Sequence, residues 1–226
     1  MMRKVYLSLV ISGVLVGCAS TSEPEATAST ATTSAPAATS TSSALGLIQD
    51  NQLTEFRSNN GKSDAWQKLA DKSNGKGDVG SSKDTAFGDE GSARIRFVSE
   101  NDDFTATPGL SQEVSNIEPN TDYILSLYYY DKKGPTSPSE LEFGVKSKDG
   151  KTIKSTMAHA KDVAMNPQGA VKKGFKQVSV AFNSGSNTTL DIYALMHITD
   201  TSGINLDGDI GKQTEVRIDE FKLTKS

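Results

Sequence analysis

Seven side chains carry the chemistry this sequence offers: Arg94, Arg96, Tyr128, Tyr130, Tyr193, His197 and Arg217. They sit on runs that alternate with a period of two, the pattern of half-buried strands. In 93–98, Ile95 and Phe97 take one face and leave Arg94 and Arg96 on the other. In 123–130, Tyr123, Leu125, Leu127 and Tyr129 oppose Tyr128 and Tyr130. Leu190, Ile192, Ala194, Met196 and Ile198 likewise oppose Tyr193 and His197, and Val216 with Ile218 opposes Arg217. Aromatic faces stack on sugar C–H groups, and arginine grips a carboxylate bidentately. Such a set suits an anionic polysaccharide. The plainer alternative makes each arginine half of a cross-strand ion pair with Glu142 or Asp191, and His197 a hydrogen-bonded structural histidine.

Catalysis has little to work with. The chain has two histidines and one cysteine, too few for a His/Cys metal cluster. A Gly-x-Ser-x-Gly elbow and a phosphate-cradling glycine loop are both missing. A tyrosine, His197 and an arginine still suffice in principle for β-elimination, which needs a base, an acid and charge neutralisation. A binder, a lyase and an adhesive protein therefore remain the three classes to separate, with the non-catalytic binder preferred.

The elements that must position these residues are strands. Further alternating runs occur at Leu141–Lys146, at Val178, Val180 and Phe182, and at Val216–Leu223. Turn signals separate them: Glu118-Pro119-Asn120, Lys133-Gly134-Pro135, Lys148-Asp149-Gly150, Asn183-Ser184-Gly185 and Asp207-Gly208-Asp209. Only 153–173 admits a short helix. The expected fold is all-β, an antiparallel β-sandwich. Tyr123, Tyr129 and Trp66 are expected in its core.

The N-terminus is built for export. Arg3 and Lys4 precede an apolar run over Val5–Val16, too short for the roughly 20 residues a membrane span needs. It ends in Leu15-Val16-Gly17-Cys18, which resembles the lipobox of bacterial lipoproteins. That resemblance implies that residues 1–17 are a signal peptide and that Cys18 is acylated. Ala19 behind it implies the outer membrane, on its periplasmic or cell-surface side. Residues 19–44 are Ala, Ser, Thr and Pro apart from Glu23 and Glu25. Such a segment buries too little apolar surface to order and reads as a tether, spanning about 28 Å root-mean-square. Residues 45–226 are expected to form one domain. Without Arg3 and Lys4 the mature chain carries 22 positive and 28 negative side chains, net −6. No basic run remains to neutralise phosphates, so nucleic acid is not an expected partner.

Four segments resemble the jelly-roll carbohydrate-binding modules of the galactose-binding-domain-like type: Phe87–Ile95, Leu110–Tyr123, Gly174–Val178 and Val216–Leu223. The likeness runs nearest to modules accompanying alginate lyases. It implies a monomeric jelly roll that binds polysaccharide without cleaving it, with an acidic glycan such as alginate ranked first. It also implies that the seven come from neighbouring strands, so that several of them converge on one concave face. Catalytic jelly-roll alginate lyases carry a Gln-x-His strand and an Arg-rich strand, and this sequence has neither. The resemblance further implies a structural calcium bound by Asp219 in the closing strand, with oxygen ligands from Asp50, Glu55, Asp89 or Glu90. Asn205–Asp209 starts like a calcium loop but lacks the distal glutamate, and reads as a turn. The segment 153–173 looks like an insertion, in which His159 and Lys161 belong to a lid or, more plainly, a solvated loop.

Overall fold

The computed structural model describes residues 46–88, 91–163 and 174–226. All lie in one compact unit, Ser40–Ser226. Ten strands form it: β1 Gln67–Leu69, β2 Asp78–Ser82, β3 Ser92–Arg96, β4 Gly109–Ser115, β5 Asp122–Asp131, β6 Ser139–Ser147, β7 Thr152–Ala158, β8 Lys176–Asn183, β9 Thr189–Ile198 and β10 Val216–Lys225. They assemble into two antiparallel five-stranded sheets. The first has the order β1-β4-β9-β6-β7 and the second β2-β3-β10-β5-β8. Two one-turn helices, α1 (Thr54–Ser58) and α2 (Ile210–Thr214), complete the unit. Among the described residues no helix is long and apolar enough to cross a membrane.

The alternation read from the sequence decides which side of each strand is buried. Ile95, Phe97, Leu125, Leu127, Tyr129, Phe143, Val145, Ile192, Ala194, Met196 and Ile218 all enter one core. Tyr123, 0 % exposed, joins it, stacked on Phe182 with ring centroids 5.8 Å apart. Burying such side chains between two sheets is the main stabilising term, about 1.5–3 kcal/mol for each large residue. Glycine permits the closest strand contacts. A Cβ on Gly109 would lie 2.0 Å from the Ala194 carbonyl oxygen, and one on Gly144 would lie 2.3 Å from that of Lys154.

The segment 153–173 corrects an expectation. Its described beginning is strand β7 rather than a helix, because Thr152 and Lys154–Ala158 pair along β6, with Ile153 at a bulge. β-Branched side chains favour that pleated surface. The opening region contains α1. Both carboxylate oxygens of Asp50 accept hydrogen bonds there, from the Glu55 and Phe56 amides at 2.8 and 2.9 Å.

Candidate functional site

On the outer face of the first sheet, three strands build a compact polar cluster around an aromatic ring. Tyr193 on β9 stands directly opposite Gly144 on β6, and Gly144 in turn stands opposite Ser155 on β7. Glycine leaves that middle position without a side chain, so the tyrosine can cross β6. Its hydroxyl meets the Ser155 and Thr152 side chains and donates to Glu142 Oε1 at 2.9 Å. The ring therefore lies across the sheet rather than standing on it. Its remaining face is covered by Lys146, whose Nζ is 4.5 Å from the ring centroid. Under that cover Tyr193 is 2 % exposed. Burial, the largest influence, raises its phenol above the ordinary tyrosine value.

His197 completes the cluster. Its Nε2 lies 3.0 Å from Glu142 Oε2, so one carboxylate receives a phenol on one oxygen and an imidazole on the other. Glu142 and His197 remain partly open, with side-chain exposures of 24 % and 29 %. Carboxylate oxygens have further lone pairs, and a neutral imidazole has a second ring nitrogen. With Nε2 donating to Glu142, the rim can thus accept from hydroxyl groups. An open groove of about 490 Å³ lies farther along the same sheet, lined by Gln67, Ser111, Glu113 and Asp191 among others. Burial and the facing Glu113 raise the Asp191 carboxyl.

The other five predicted site residues lie on the second sheet. Arg94, Arg217 and Tyr130 form one cross-strand row, since Arg94 opposes Arg217 and Arg217 opposes Tyr130. The seven are thus divided, five on the second sheet and Tyr193 with His197 on the first. Strand alternation places a side chain inside or outside but does not say which sheet its strand joins. The arginines are also paired, though not with Glu142 or Asp191. Asp78 lies 3.2 Å from Arg96 and 3.7 Å from Arg94. Arg217 donates from Nε to Glu215 at 2.8 Å and also meets Asp84. The Arg217 guanidinium sits 5.4 Å from the Tyr130 ring centroid. Tyr128 is 8 % exposed, packed with Ala86 and Phe175. Arg217 is equally buried, so neither it nor Tyr128 is the open contact the sequence suggested.

The β-eliminating set is not assembled. Tyr193 and His197 share a face on which no arginine stands, because Arg94, Arg96 and Arg217 all belong to the second sheet.

Of the expected calcium ligands, the described ones, Asp50, Glu55 and Asp219, each accept hydrogen bonds from the protein. Asp50 is occupied by the amides of α1. Glu55 accepts from Ser63 and from the Asp64 amide. Asp219, fully buried, accepts from the Ala86 and Glu220 amides at 2.8 Å. Asp89 and Glu90 lie outside the described residues. Among the described residues no group of three His, Cys, Asp or Glu side chains could hold a metal ion.

Other single-residue expectations resolve by burial. Trp66 packs on Phe221 with ring centroids 4.5 Å apart, and its indole donates to the Asp50 carbonyl at 3.0 Å. It is a core residue. His159 is neither lid nor solvated loop; it is 6 % exposed, with Nε2 2.9 Å from the Ser137 carbonyl oxygen. Its Nδ1 accepts from the Lys161 amide. In Asn205–Asp209, which forms a turn, Asn205 is held by Gln213. The residues that sequence reading missed are Gly144, Lys146 and Ser155. The available signal was a glycine inside an otherwise alternating strand, which marks close approach by another group.

No family model matches the sequence, and no curated protein matches it. Solved structures do match in shape. The enzymatically active domain of tailspike protein 4 from bacteriophage CBA120 aligns with TM-score 0.50 and 10 % identity over 80 % of this chain. The alignment covers 21 % of that chain, so this protein spans about a fifth of it. The module TmCBM61, in complex with β-1,4-galactotriose, aligns with TM-score 0.49 and 16 % identity over 80 % of this chain and 98 % of its own. The CBM22-2 xylan-binding domain of Paenibacillus barcinonensis Xyn10C gives TM-score 0.45 and 12 % identity, covering 76 % and 96 %. At these identities the likeness is one of fold. That fold is a jelly-roll sandwich.

Proposed function

We propose that this protein is a lipid-tethered, non-catalytic polysaccharide binder whose site is the outer face of the first sheet. The observation that carries the reading is Tyr193, lying across Gly144 with Glu142 and His197 at its rim and Lys146 as its cover. Lysine is a flexible cover, and the contact of this half-exposed side chain with the buried ring is worth about 0.5–1 kcal/mol. A sugar ring that displaces it gains an aromatic surface to stack on. Hydroxyls at the edge of that sugar then meet Glu142 and His197.

The same reading keeps the chain at a membrane. Acylation of Cys18 and the 19–44 tether would hold the domain at the outer membrane while leaving it free to search nearby. Binding there serves to retain glycan close to the cell.

An acidic glycan such as alginate is the second reading, and one observation favours it. In the ion-pair network of the second sheet, among the described residues, Lys72, Arg94, Arg96, Lys132 and Arg217 pair with Asp78, Asp84 and Glu215. The buried Nε of Arg94 has no acceptor. An acidic chain would bind there, and salt would weaken it by screening exposed charges over about 8–10 Å.

Affinity electrophoresis against neutral and acidic polysaccharides tests both. The first reading expects retention that Glu142→Ala abolishes and Arg94→Ala leaves intact; the reverse pattern would establish the second. Retention by no polysaccharide, with a protein partner recovered instead, would overturn both in favour of an adhesive role.

A further inference from the structure

A second recess lies on the other side of the molecule, where β8 begins. It is a cleft of about 120 Å³ lined by Tyr129, Tyr130, Asp131, Pro135, Ala160 and Lys176, with Gly134 and Gly174 at its turns. Its walls are mainly apolar. Its two charged members are already engaged. Asp131 accepts from the Lys133 and Gly134 amides, both at 2.9 Å, on one oxygen and from the Tyr129 hydroxyl at 3.2 Å on the other. Lys176 donates to the Ala160 carbonyl at 3.0 Å and to the Val163 carbonyl at 2.7 Å. An ammonium has three N–H donors, and among the described residues two of them are engaged here.

We propose that this cleft receives the acetyl or acetamido substituent of an acetylated sugar. Size excludes a whole pyranose: a cavity of about 150 Å³ holds a benzene molecule, whereas a pyranose with its hydroxyls has roughly twice as many heavy atoms. An acetamido group has four. Chemistry points the same way. A methyl group suits the wall made by Tyr130, Pro135 and Ala160, and the carbonyl oxygen accepts from the third Lys176 N–H. A carboxylate is disfavoured because Asp131 would face it across the same small space, where burial already raises the Asp131 carboxyl. A cation is disfavoured by Lys176. A neutral carbonyl bearing a methyl satisfies every wall. That its carrier is a sugar rests on the polysaccharide reading; the fit of the substituent does not.

Saturation-transfer NMR on the full-length chain in detergent tests this with three probes: N-acetylglucosamine, glucosamine and glucose. The acetyl methyl of N-acetylglucosamine should show the strongest transfer, with the other two probes at background. Ala160→Leu fills the cleft and should reduce that signal by at least about fivefold, the equivalent of one ordinary hydrogen bond or more. Should Ala160→Leu fail to fold, Lys176→Met removes the donor and should give a comparable fall. Equal transfer from glucose, or an undiminished methyl signal in a folded variant, would overturn the proposal. Glu142→Ala separates the two sites, because it should abolish polysaccharide retention while leaving the methyl signal intact. Polysaccharide retention without any methyl signal in the parent protein defeats this inference alone. A methyl signal without retention leaves the cleft standing and defeats the first-sheet reading.

Discussion

Glu142 Oε2 and His197 Nε2 are 3.0 Å apart on the outer face of the first sheet, and the other oxygen of the same carboxylate holds the hydroxyl of Tyr193, four residues before His197. One acidic side chain thus sets both the aromatic platform and its hydrogen-bonding rim. Replacing it with glutamine keeps the shape and an acceptor; alanine removes both. Glu142→Ala should weaken glycan binding by about tenfold, or about 1.4 kcal/mol, and Glu142→Gln by less. Titration calorimetry on the two variants checks the order.

Lys146 gives a prediction of opposite sign. A sugar stacking on Tyr193 must displace its ammonium, which costs about 0.5–1 kcal/mol of cation–π contact. Lys146→Ala should therefore tighten binding by about two- to fivefold. Weaker binding in that variant would make Lys146 a ligand contact instead of a cover.

On the second sheet, the arginines are expected to matter for stability. Glu215 is 2 % exposed and is held by Arg217, with Lys132 and Arg96 farther off. Arg217→Ala leaves that buried carboxylate short of its main partner, which should cost about 3 kcal/mol in urea denaturation. Arg94, at the better exposed end of the row, should cost well under half of that.

The strand faces of this protein were readable because burial is a property of a single strand's alternation. Tyr129, Ile192 and Ile218 followed that rule, and so did the outward direction of Arg94, Tyr130 and Tyr193. Sheet membership is set by pairing between distant segments, such as β10 between β3 and β5. Nothing local in Arg217 or Tyr193 encodes it. For this reason the candidate site divided between two faces. β7 was obscured for a related cause: as an edge strand it carries Lys154 and exposed Met157 in place of a clean apolar stripe. The partners of the arginines, Asp78, Asp84 and Glu215, sit in short or irregular stretches whose proximity appears only after folding.

Asp131 makes stability depend on pH. Burial is the largest influence on its carboxyl and raises it above the ordinary aspartate value of about 3.9. A carboxyl with a raised folded pKa binds its proton more tightly when folded. Its contribution is then most favourable below the unfolded pKa and is lost as pH rises through the folded one. Asp131→Asn should remove this decline, so the parent should lose stability relative to the variant on going from acid to neutral pH. Parallel urea curves on the two proteins would reveal it, and a parent that gains on the variant over that interval would contradict the assignment.

The most direct test of the central claim is calorimetric titration of a retained polysaccharide into the parent protein, Tyr193→Ala and Arg94→Ala. The account predicts that Tyr193→Ala loses at least about tenfold in affinity, equal to about 1.4 kcal/mol, while Arg94→Ala binds as the parent does. Undiminished binding by a folded Tyr193→Ala protein would contradict it.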